Sequence, residues 1–368
     1  MQVLIRVDAS KVIGTGHVMR CLVLADRLSQ AGATCLFVCR KFEGHLAQLI
    51  VARGHRSVLL ETDADPPLDA GYDGAPPAHA DWLVANWQQD AQATIAIAQE
   101  LQNVDLAFVD HYALDHRWEK RLKPYAKRLL VLDDLADRRH CADVLVDQNY
   151  GHNKLHYAHL VTRSCRVLAG AQFALLRPQF AELRSQALAR RQTVASDKHL
   201  LIFLGGGDTD RALSCVAKTL CEACPGNLGA LTLVTAGASI CDVVGRRLRS
   251  QFGGKIEVVS QTEDMARLML KADLAIGGGG VTGWERCALG LPTLVLTMAD
   301  NQRPINRRLA HDGHIFACVE PEDLNEDLIA RFVDMDEGTY RTLSGNAATV
   351  TDGIGADRVM EALGYEVC

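Results

Sequence analysis

Two stretches of the chain open in the same way, with an apolar run, a glycine loop and a helical pattern. Residues 2–7 precede a loop that holds Gly14 and Gly16, and residues 200–204 precede the glycines at 205–207. A strand, a glycine loop and a helix in this order are typical of a doubly wound parallel sheet. The 368 residues also exceed the roughly 250–300 at which a single core stops growing. We therefore predict an α/β protein with two Rossmann-like domains that bind ligands at the carboxyl ends of their strands.

Short apolar runs alternate with helical patterns through both halves of the chain. Buried strands between helices indicate a parallel sheet that helices cover on both faces. The predicted strands span residues 2–7, 34–39, 57–60, 106–110, 129–133, 144–146 and 167–168 in the first half, and residues 200–204, 231–234, 256–259, 274–276 and 293–296 in the second.

The domain boundary is predicted at the polar stretch 186–198, which we interpret as the end of a connecting helix and a linker. Residues 1–185 then form the N-terminal domain and residues 199–345 the C-terminal domain. Residues 346–368 carry a last helix that is expected to pack back on the N-terminal domain. Residues 63–81 are rich in Asp, Pro and Gly, which predicts a long mobile loop.

Composition excludes several classes of function. The net charge of −6 and the pI of about 6.1 argue against general binding of nucleic acid or of anionic membranes. The first residues lack the pattern of a signal peptide, and no apolar run reaches the roughly 18 residues of a membrane span. Twelve cysteines in such a chain are expected to be reduced thiols. We therefore expect a cytoplasmic protein without membrane insertion.

The first glycine loop carries a histidine at its end. Gly14 and Gly16 allow a tight turn and a close approach of the backbone to a ligand, and the N-terminus of the following helix suits a phosphate. His17 stands where such a ligand would lie. An imidazole is the side chain best suited to accept a proton near neutral pH. The alternative is that this histidine only caps the helix or satisfies a local hydrogen bond.

The second candidate site is the glycine run 277–280, which ends a predicted strand and opens a helix. Glycines at this position suit close approach to a diphosphate, and Glu285 in the first turn of the helix suits hydrogen bonds to ribose hydroxyls. The residues predicted to contact this ligand are Gly206, Gly207, Gly279, Gly280, Val281, Thr282 and Glu285. The alternative is a tight connection between strand and helix with a glutamate on the surface.

Two polar clusters follow predicted strands, at residues 110–112 and 300–302. Side chains just after the carboxyl end of a parallel strand face the ligand crevice. Tyr112, Asn301 and Gln302 are therefore candidates to contact a substrate. The alternatives are a helix N-cap in the second cluster and a tyrosine that is packed in the core.

Motifs of other chemistries are absent or weak. The sequence has no P-loop, no opening G-x-G-x-x-G and no H-E-x-x-H. Cys221 and Cys224 form a single C-x-x-C pattern on a predicted helix, which favours two thiols on one face over zinc. His152, His156 and His159 have metal-like spacing but no evident acidic partner, so we interpret them as a solvated surface. We predict neither a metal site nor a cofactor.

Several of these pieces carry a resemblance to a known family. The chain resembles the PseG family of UDP-2,4-diacetamido-2,4,6-trideoxy-β-L-altropyranose hydrolases, which act in the bacterial biosynthesis of pseudaminic acid. The block at 277–285 is shared more widely with GT-B nucleotide-sugar enzymes, including MurG-like transferases. The matching segments are residues 6–10, 13–21, 109–112, 133–136, 147–149, 173–178, 277–285 and 301–302.

The resemblance implies a GT-B fold with a cleft between its domains, UDP held mainly by the C-terminal half, His17 as the proton acceptor and no metal. A hydroxyl side chain commonly follows the glycines in this fold, whereas here Val281 stands there and Thr282 comes next. A side-chain contact to phosphate would then come from Thr282, or the contact would be made by the backbone alone.

The function implied is hydrolysis of a UDP-linked deoxyamino sugar at the anomeric carbon, with inversion, in a protein that is a monomer or a weak dimer and works beside other enzymes of its pathway. Two alternatives stay open. A glycosyltransferase of the same fold would use the same UDP site and could use the same histidine on an acceptor hydroxyl. A non-catalytic protein would bind the nucleotide sugar without turnover.

Overall fold

The structure, a computed structural model, describes residues 1–63, 67, 69–205, 209–223, 225–235, 238–251, 254–260, 262 and 264–365. The chain forms two compact units, one from Met1–Leu175 with Gly355–Cys368 and the other from Leu176–Ile354. Each unit is built around one parallel β-sheet.

The sheet of the first unit has seven parallel strands. They are β1 (Gln2–Val7), β2 (Thr34–Arg40), β3 (Arg56–Leu60), β4 (Leu106–Asp110), β5 (Leu129–Leu132), β6 (Val144–Asp147) and β7 (Arg166–Ala169). Their order is β3-β2-β1-β4-β5-β6-β7, so the direction of winding reverses between β1 and β4. In such sheets ligands bind beyond the carboxyl ends of the strands at the point of reversal.

The sheet of the second unit has six parallel strands. They are β8 (Lys198–Phe203), β9 (Leu228–Thr235), β10 (Lys255–Ser260), β11 (Leu274–Gly278), β12 (Thr293–Leu296) and β13 (Ala317–Val319). Their order is β10-β9-β8-β11-β12-β13, which reverses between β8 and β11. Every strand predicted from the sequence is present. The short edge strand β13 was missed, although its three half-buried residues end an apolar run that begins at Ile315.

Helices cover both sheets. Their apolar residues recur on one face, as on α1, where Cys21, Leu24, Ala25 and Leu28 are buried. The helices are α1 (Gly16–Gln30), α2 (Ala47–Ala52), α3 (Trp87–Glu100), α4 (His116–Leu122), α5 (Pro178–Arg190), α6 (Asp210–Ala223), α7 (Ala238–Gln251), α8 (Met265–Lys271), α9 (Val281–Ala288), α10 (Arg303–His311), α11 (Glu326–Val333), α12 (Glu337–Val350) and α13 (Gly355–Ala362).

The units divide the chain at different residues from the predicted domains. Residues 176–185, which the sequence places in the N-terminal domain, belong to the second unit together with the rest of α5. The Arg184 side chain explains this, because it donates hydrogen bonds to the carbonyls of Ala288, Ala348 and Thr351. The stretch 186–198, predicted as a linker, contains the end of α5 and the first residue of β8.

The last helix, α13, belongs to the first unit, where it packs against α1. Val359 and Met360 are buried in the same core as Leu24 of α1. Two arginines of the first unit hold the end of the helix, since Arg128 donates to the carbonyl of Leu363 and Arg166 to that of Ala362.

The prediction of a mobile loop at 63–81 is wrong for the residues that the structure describes there. Tyr72 is 4% exposed, and its hydroxyl donates to the carbonyl of Ala113 at 2.9 Å. The Arg117 guanidinium lies 4.2 Å from the centre of the Tyr72 ring and donates to the carbonyls of Asp73 and Ala75. The polar composition predicted a loop correctly, but an aromatic anchor and an arginine fix it to the rest of the unit.

A fully buried charge network lies between β1 and α3. Arg6 donates to Asp8 at 2.6 Å and to both carboxylate oxygens of Asp90, at 2.7 and 3.2 Å. Asp90 also accepts from the Trp118 indole at 3.0 Å and pairs with Arg40. Burial by itself raises the pKa of Asp90, but Arg6 and Arg40 outweigh it and the pKa is lowered. The carboxylate therefore stays charged, and both guanidinium groups depend on it.

We predict that Asp90→Asn lowers the free energy of unfolding by roughly 3–5 kcal/mol, because it leaves buried guanidinium charge without its partner. Urea denaturation followed by circular dichroism measures this change. Glu61→Gln is the control, since it removes an exposed partner of Lys41, and exposed ion pairs contribute little. Equal urea midpoints of unfolding for the wild type and Asp90→Asn would contradict the proposed contribution of the network to stability.

Candidate active site

The loop between β1 and α1 leaves open space around its glycines. The amide of Gly14 donates to the carbonyl of Ser10 at 2.8 Å, and Gly14 has a φ of 78°, which other residues rarely adopt. A Cβ atom added at Gly14 or Gly16 would meet no atom within 4 Å. The N-cap residue Thr15 makes no side-chain hydrogen bond, and no acidic residue lies in the first turn of α1. This helix N-terminus therefore offers N–H donors to a ligand.

His17, the second residue of α1, is oriented by a buried carboxylate. Its Nδ1 lies 2.7 Å from Oδ1 of Asp110, the last residue of β4. The pairing arises because β1 and β4 are neighbours in the sheet, with Val7 opposite Asp110. An ionised carboxylate only accepts hydrogen bonds, so Nδ1 carries the proton. Nε2 is then left as the acceptor of the neutral imidazole.

Arg20 fixes the position of this carboxylate. Its Nε and Nη2 donate to the two oxygens of Asp110, each at 2.6 Å, in a bidentate pair. Burial by itself raises the pKa of Asp110, but Arg20 and His17 outweigh it and hold the pKa well below its usual range. Asp110 is therefore charged at neutral pH and accepts from both partners. The sequence prediction missed its role, although its place at the end of a strand beside Tyr112 was a signal.

Tyr112 completes the surroundings of His17. The Tyr112 hydroxyl donates to Asp134, whose other oxygen accepts from Nη1 of Arg20 at 2.6 Å. Burial and the neighbouring Asp134 raise the pKa of Tyr112 well above its ordinary value, so the hydroxyl stays protonated. The ring centres of Tyr112 and His17 are 4.6 Å apart in an edge-to-face contact. His17, Tyr112 and the glycine loop thus meet at one edge of the first sheet.

His111 is not part of this arrangement, although it lies between Asp110 and Tyr112 in sequence. It is 4% exposed, and its Nε2 lies 3.1 Å from Oδ2 of Asp8 inside the core. Its Nδ1 accepts the backbone N–H of Ala113 at 3.1 Å. His111 is thus enclosed in the core beside Asp8, whereas His17 is the histidine of the two that is partly exposed.

Contacts within the second unit itself explain why residues 277–280 are glycines. A Cβ atom on Gly277 would overlap the Arg286 guanidinium, and one on Gly278 would overlap the carbonyl of Leu204. A Cβ atom on Gly279 would lie 2.8 Å from Oε1 of Gln302. Gly280 has a φ of 84°. Since each glycine is needed for packing or for backbone conformation, the run alone is weaker support for a ligand than its sequence suggested.

Glu285 lies deeper than predicted. The helix α9 begins at Val281, so Glu285 is in its second turn rather than its first. It is 6% exposed, which contradicts a surface glutamate, and its Oε1 accepts from Nη2 of Arg177 at 3.0 Å. Burial raises the pKa of Glu285, and Arg177 opposes this shift. Arg177 was not among the predicted site residues, because no local pattern links positions 108 residues apart.

A second buried arginine lies under the same loop. Arg286 is 2% exposed and donates to the carbonyl of Gly278 and, at 3.2 Å, to the hydroxyl of Thr282. Within the part of the chain that the structure describes, no carboxylate forms an ion pair with it, and burial lowers its pKa to about 10. The guanidinium stays charged at neutral pH, and a positive charge beneath the N-terminus of α9 favours an anion there.

The other predicted contacts of the second unit differ in their positions. Val281 is the first residue of α9 and is half-buried, and the hydroxyl of Thr282 is engaged by Arg286. Gln302 packs on Gly279, whereas Asn301 is exposed in the 3₁₀ turn Asp300–Gln302. The predicted contacts at Gly206 and Gly207 lie outside the described residues.

The prediction of histidines without an acidic partner is wrong for His152. Its Nδ1 lies 2.6 Å from Oδ2 of Asp147 at the end of β6, and its ring stacks on His156 with centres 4.5 Å apart. The spacing of five residues between Asp147 and His152 was a signal for this pairing. Among residues 1–63, 67, 69–205 and the other described segments, no group of three potential ligands could hold a metal ion. Cys224, of the C-x-x-C pattern, lies outside the description.

Among the residues that the structure describes, no helix combines the length and the apolar composition needed to cross a membrane.

No protein-family model matches the chain. Among curated proteins, it is 25% identical over 215 residues to the spore coat polysaccharide biosynthesis protein SpsG of Bacillus subtilis. It is 27% identical over 181 residues to a UDP-2,4-diacetamido-2,4,6-trideoxy-β-L-altropyranose hydrolase of Campylobacter jejuni. These matches cover 58% and 49% of this chain, and 61% and 53% of those proteins. The chain thus spans between half and two thirds of the length of these two relatives.

A transferase also matches part of the chain. The UDP-N-acetylglucosamine–N-acetylmuramyl-(pentapeptide) pyrophosphoryl-undecaprenol N-acetylglucosamine transferase of Sulfurimonas denitrificans is 30% identical over 142 residues. This match covers 35% of the chain and 39% of the transferase. The three relatives therefore include both a hydrolase and a transferase, and their names do not agree on one reaction.

Solved structures match over nearly the whole chain. MurG of Acinetobacter baumannii superimposes with a TM-score of 0.67 at 12% identity, and the match covers 99% of both chains. The UDP-GlcNAc 2-epimerase of Neisseria meningitidis gives a TM-score of 0.61 at 9% identity, also over 99% of both chains. At such identities the likeness establishes the fold alone. The predicted fold class, two Rossmann-like α/β domains of the GT-B type, is confirmed.

We predict that His17 carries its proton on Nδ1 at pH 8 and that Asp110→Asn shifts the tautomer toward Nε2–H, because the amide can donate to Nδ1. Nitrogen-15 NMR of histidine-labelled protein measures the tautomer, and the loss of one signal set in His17→Asn assigns it. Asp134→Asn is the matched control, since it also removes a partner of Arg20 but does not touch the imidazole. An unchanged His17 spectrum in Asp110→Asn would contradict the orienting role.

Proposed function

We propose that this protein hydrolyses a UDP-linked deoxyamino sugar at its anomeric carbon and releases UDP and the free sugar. His17 is the general base, and the first unit supplies it. The UDP moiety is held by residues of the second unit around the glycine run and Glu285. The reaction needs no metal, because N–H donors at helix N-termini can hold the diphosphate instead.

The observation that carries this proposal is the pairing of His17 with the Asp110–Arg20 ion pair at the mouth of an open glycine loop. The carboxylate fixes the ring with Nε2 as its proton acceptor. The His17 side chain is 12% exposed, so a water molecule can reach its imidazole. Such a base contributes roughly 10²–10⁴-fold to the rate.

The reaction balances with one base and one displacement. A water molecule gives a proton to Nε2 of His17 while its oxygen attacks the anomeric carbon. The bond between that carbon and the diphosphate oxygen breaks, and UDP leaves with the electron pair. Because UDP is a good leaving group once its charge is held, the pair of carboxylates used by most glycosidases is not required. One displacement inverts the anomeric configuration.

The C. jejuni relative favours hydrolysis, since its name gives that reaction on a UDP-linked trideoxy sugar. The S. denitrificans relative favours the second candidate function, transfer of a sugar from UDP to an acceptor hydroxyl. The arrangement of His17 serves both reactions, because a base can deprotonate either water or an acceptor hydroxyl.

Incubation of the protein with UDP-sugars alone separates the candidates. Release of UDP and free sugar without an acceptor supports hydrolysis, and the series includes UDP-linked deoxyamino sugars and UDP-N-acetylglucosamine. Release that occurs only after an acceptor is added supports transfer. Binding without release in either case would leave a nucleotide-sugar binding protein.

We predict that His17→Asn reduces kcat by roughly 10²-fold or more and leaves the affinity for UDP nearly unchanged, because only the base is removed. His159→Asn is the control, since His159 is exposed. In ¹⁸O-labelled water the wild type should place the label on the sugar, because the bond broken joins the anomeric carbon to oxygen. Label in UDP would mean attack at phosphorus and would overturn the mechanism.

We predict that Glu285→Ala weakens UDP binding and raises KM, because the carboxylate is proposed to hold ribose hydroxyls. Isothermal titration with UDP measures the affinity, and UDP should protect the wild type against heat more than it protects the variant. Glu182→Ala in the same unit is the control, since Glu182 is exposed on α5 and is not among the residues proposed to hold the nucleotide. A UDP affinity equal to that of the wild type would remove Glu285 from the proposed site.

A further inference from the structure

The segment after the anchored loop brings two more rings to His17. Residues 80–83 form a 3₁₀ turn, Ala80–Leu83, which His79 precedes. The Trp82 ring lies 6.4 Å from His17, edge to face, and 5.6 Å from Tyr112 in a stacked arrangement. The His79 ring lies 4.4 Å from Trp82 and 5.4 Å from Tyr112. Four rings therefore meet at the proposed base.

Two of these rings are open to solvent at the site. Tyr112 is 5% exposed and is covered by its neighbours, whereas Trp82 and His79 are half-buried. The other three tryptophans, all of them described, are buried: Trp87 at 9%, Trp118 at 0% and Trp284 at 4%. Burial lowers the pKa of His79, so its ring is neutral at pH 7 and presents an apolar face.

The backbone beside Trp82 is held in an unfavourable conformation. Val84 has a φ of 49° and a ψ of 38°, in the left-handed region that a β-branched residue rarely adopts. The next residues are fixed, because Asn86 caps α3 and the amide of Trp87 donates to the carbonyl of Ala70 at 2.8 Å. Conformations of this kind concentrate at ligand sites, where the surrounding structure maintains them.

We propose that Trp82 and His79 form a platform for the apolar face of the substrate's sugar ring beside His17. The proposal rests on the proposed function, since it assumes that the reacting sugar lies at His17. The C–H groups of a sugar face are weakly positive and suit the negative face of an aromatic ring. The faces of the two rings do not satisfy the hydrogen bonds of a hydroxyl group, whereas a methyl group packs on them without such a loss. The platform therefore favours deoxy sugars.

The expected selectivity is moderate. An apolar surface discriminates against one added hydroxyl by no more than about 10²-fold, and a single methyl group changes affinity by about tenfold or more. The platform thus predicts that the wild type uses a UDP-linked 2,4-diacetamido-2,4,6-trideoxy sugar at least about tenfold better than a UDP-linked sugar with a 6-hydroxyl group.

The first test measures how strongly acrylamide quenches tryptophan fluorescence. Acrylamide quenches exposed tryptophans, and Trp82 is half-buried whereas the other three tryptophans are buried. The His17→Asn variant is used because its slowed turnover keeps the substrate bound during the measurement. The UDP-linked trideoxy sugar should reduce quenching, whereas UDP alone should not. Binding of the UDP-sugar, measured by calorimetry, without any change in quenching would overturn the platform and leave the proposed function intact.

The second test is kinetic. Trp82→Ala should raise KM for the UDP-linked trideoxy sugar by about tenfold and abolish the preference over UDP-N-acetylglucosamine, with UDP affinity unchanged. Trp82→Phe should keep most of the preference, because it keeps a ring. Tyr125→Ala is the control, since it removes an exposed ring outside the platform. An unaltered preference in Trp82→Ala would overturn the inference.

The two tests also separate this inference from the proposed function. Protection of Trp82 by a UDP-sugar that the wild type does not hydrolyse would support the platform and reject hydrolysis. Failure of every UDP-sugar to bind would reject both.

Discussion

Neutralising buried carboxylates is the constraint on which the first unit depends. Three neighbouring strands, β1, β4 and β5, each carry a fully buried aspartate at or just after their carboxyl ends. A carboxylate buried without a cation would cost several kcal/mol, so each one requires an arginine beside it. The pair of Asp110 with Arg20 also contacts the partly exposed imidazole of His17. This interaction therefore both stabilises the unit and orients the imidazole. The pairs are Asp8 with Arg6, Asp110 with Arg20, and Asp133 with Arg138.

Most of the fold could be predicted from the sequence, because short buried strands between amphipathic helices leave few arrangements other than doubly wound parallel sheets. The boundary between the units was not predictable in this way. A boundary depends on which side chains a helix contacts, and for α5 the contacts of Arg184 are made with residues more than 100 positions away. The fixed loop around Tyr72 was missed because polar composition outweighed one aromatic residue.

The candidate site was predictable only in part. The position of His17 after a glycine loop could be recognised, but its pairing with Asp110 joins residues 93 positions apart and depends on the register of two strands. The two glycine loops looked alike in sequence and differ in structure, since Gly16 faces open space whereas Gly279 packs against side chains. A glycine in a sequence indicates either that a side chain is not tolerated at that position or that none is needed. The structure is required to distinguish the two cases.

The return of α13 to the first unit has a consequence for how the chain is made. The core around α1 includes Val359 and Met360 from the end of the chain, so it stays incomplete while the ribosome is still adding the second unit. The second unit, from Leu176–Ile354, is continuous and is fully synthesised before that last helix emerges. A premature stop shortly after residue 354 would therefore spare the continuous unit and leave an apolar surface on the one that carries the proposed base.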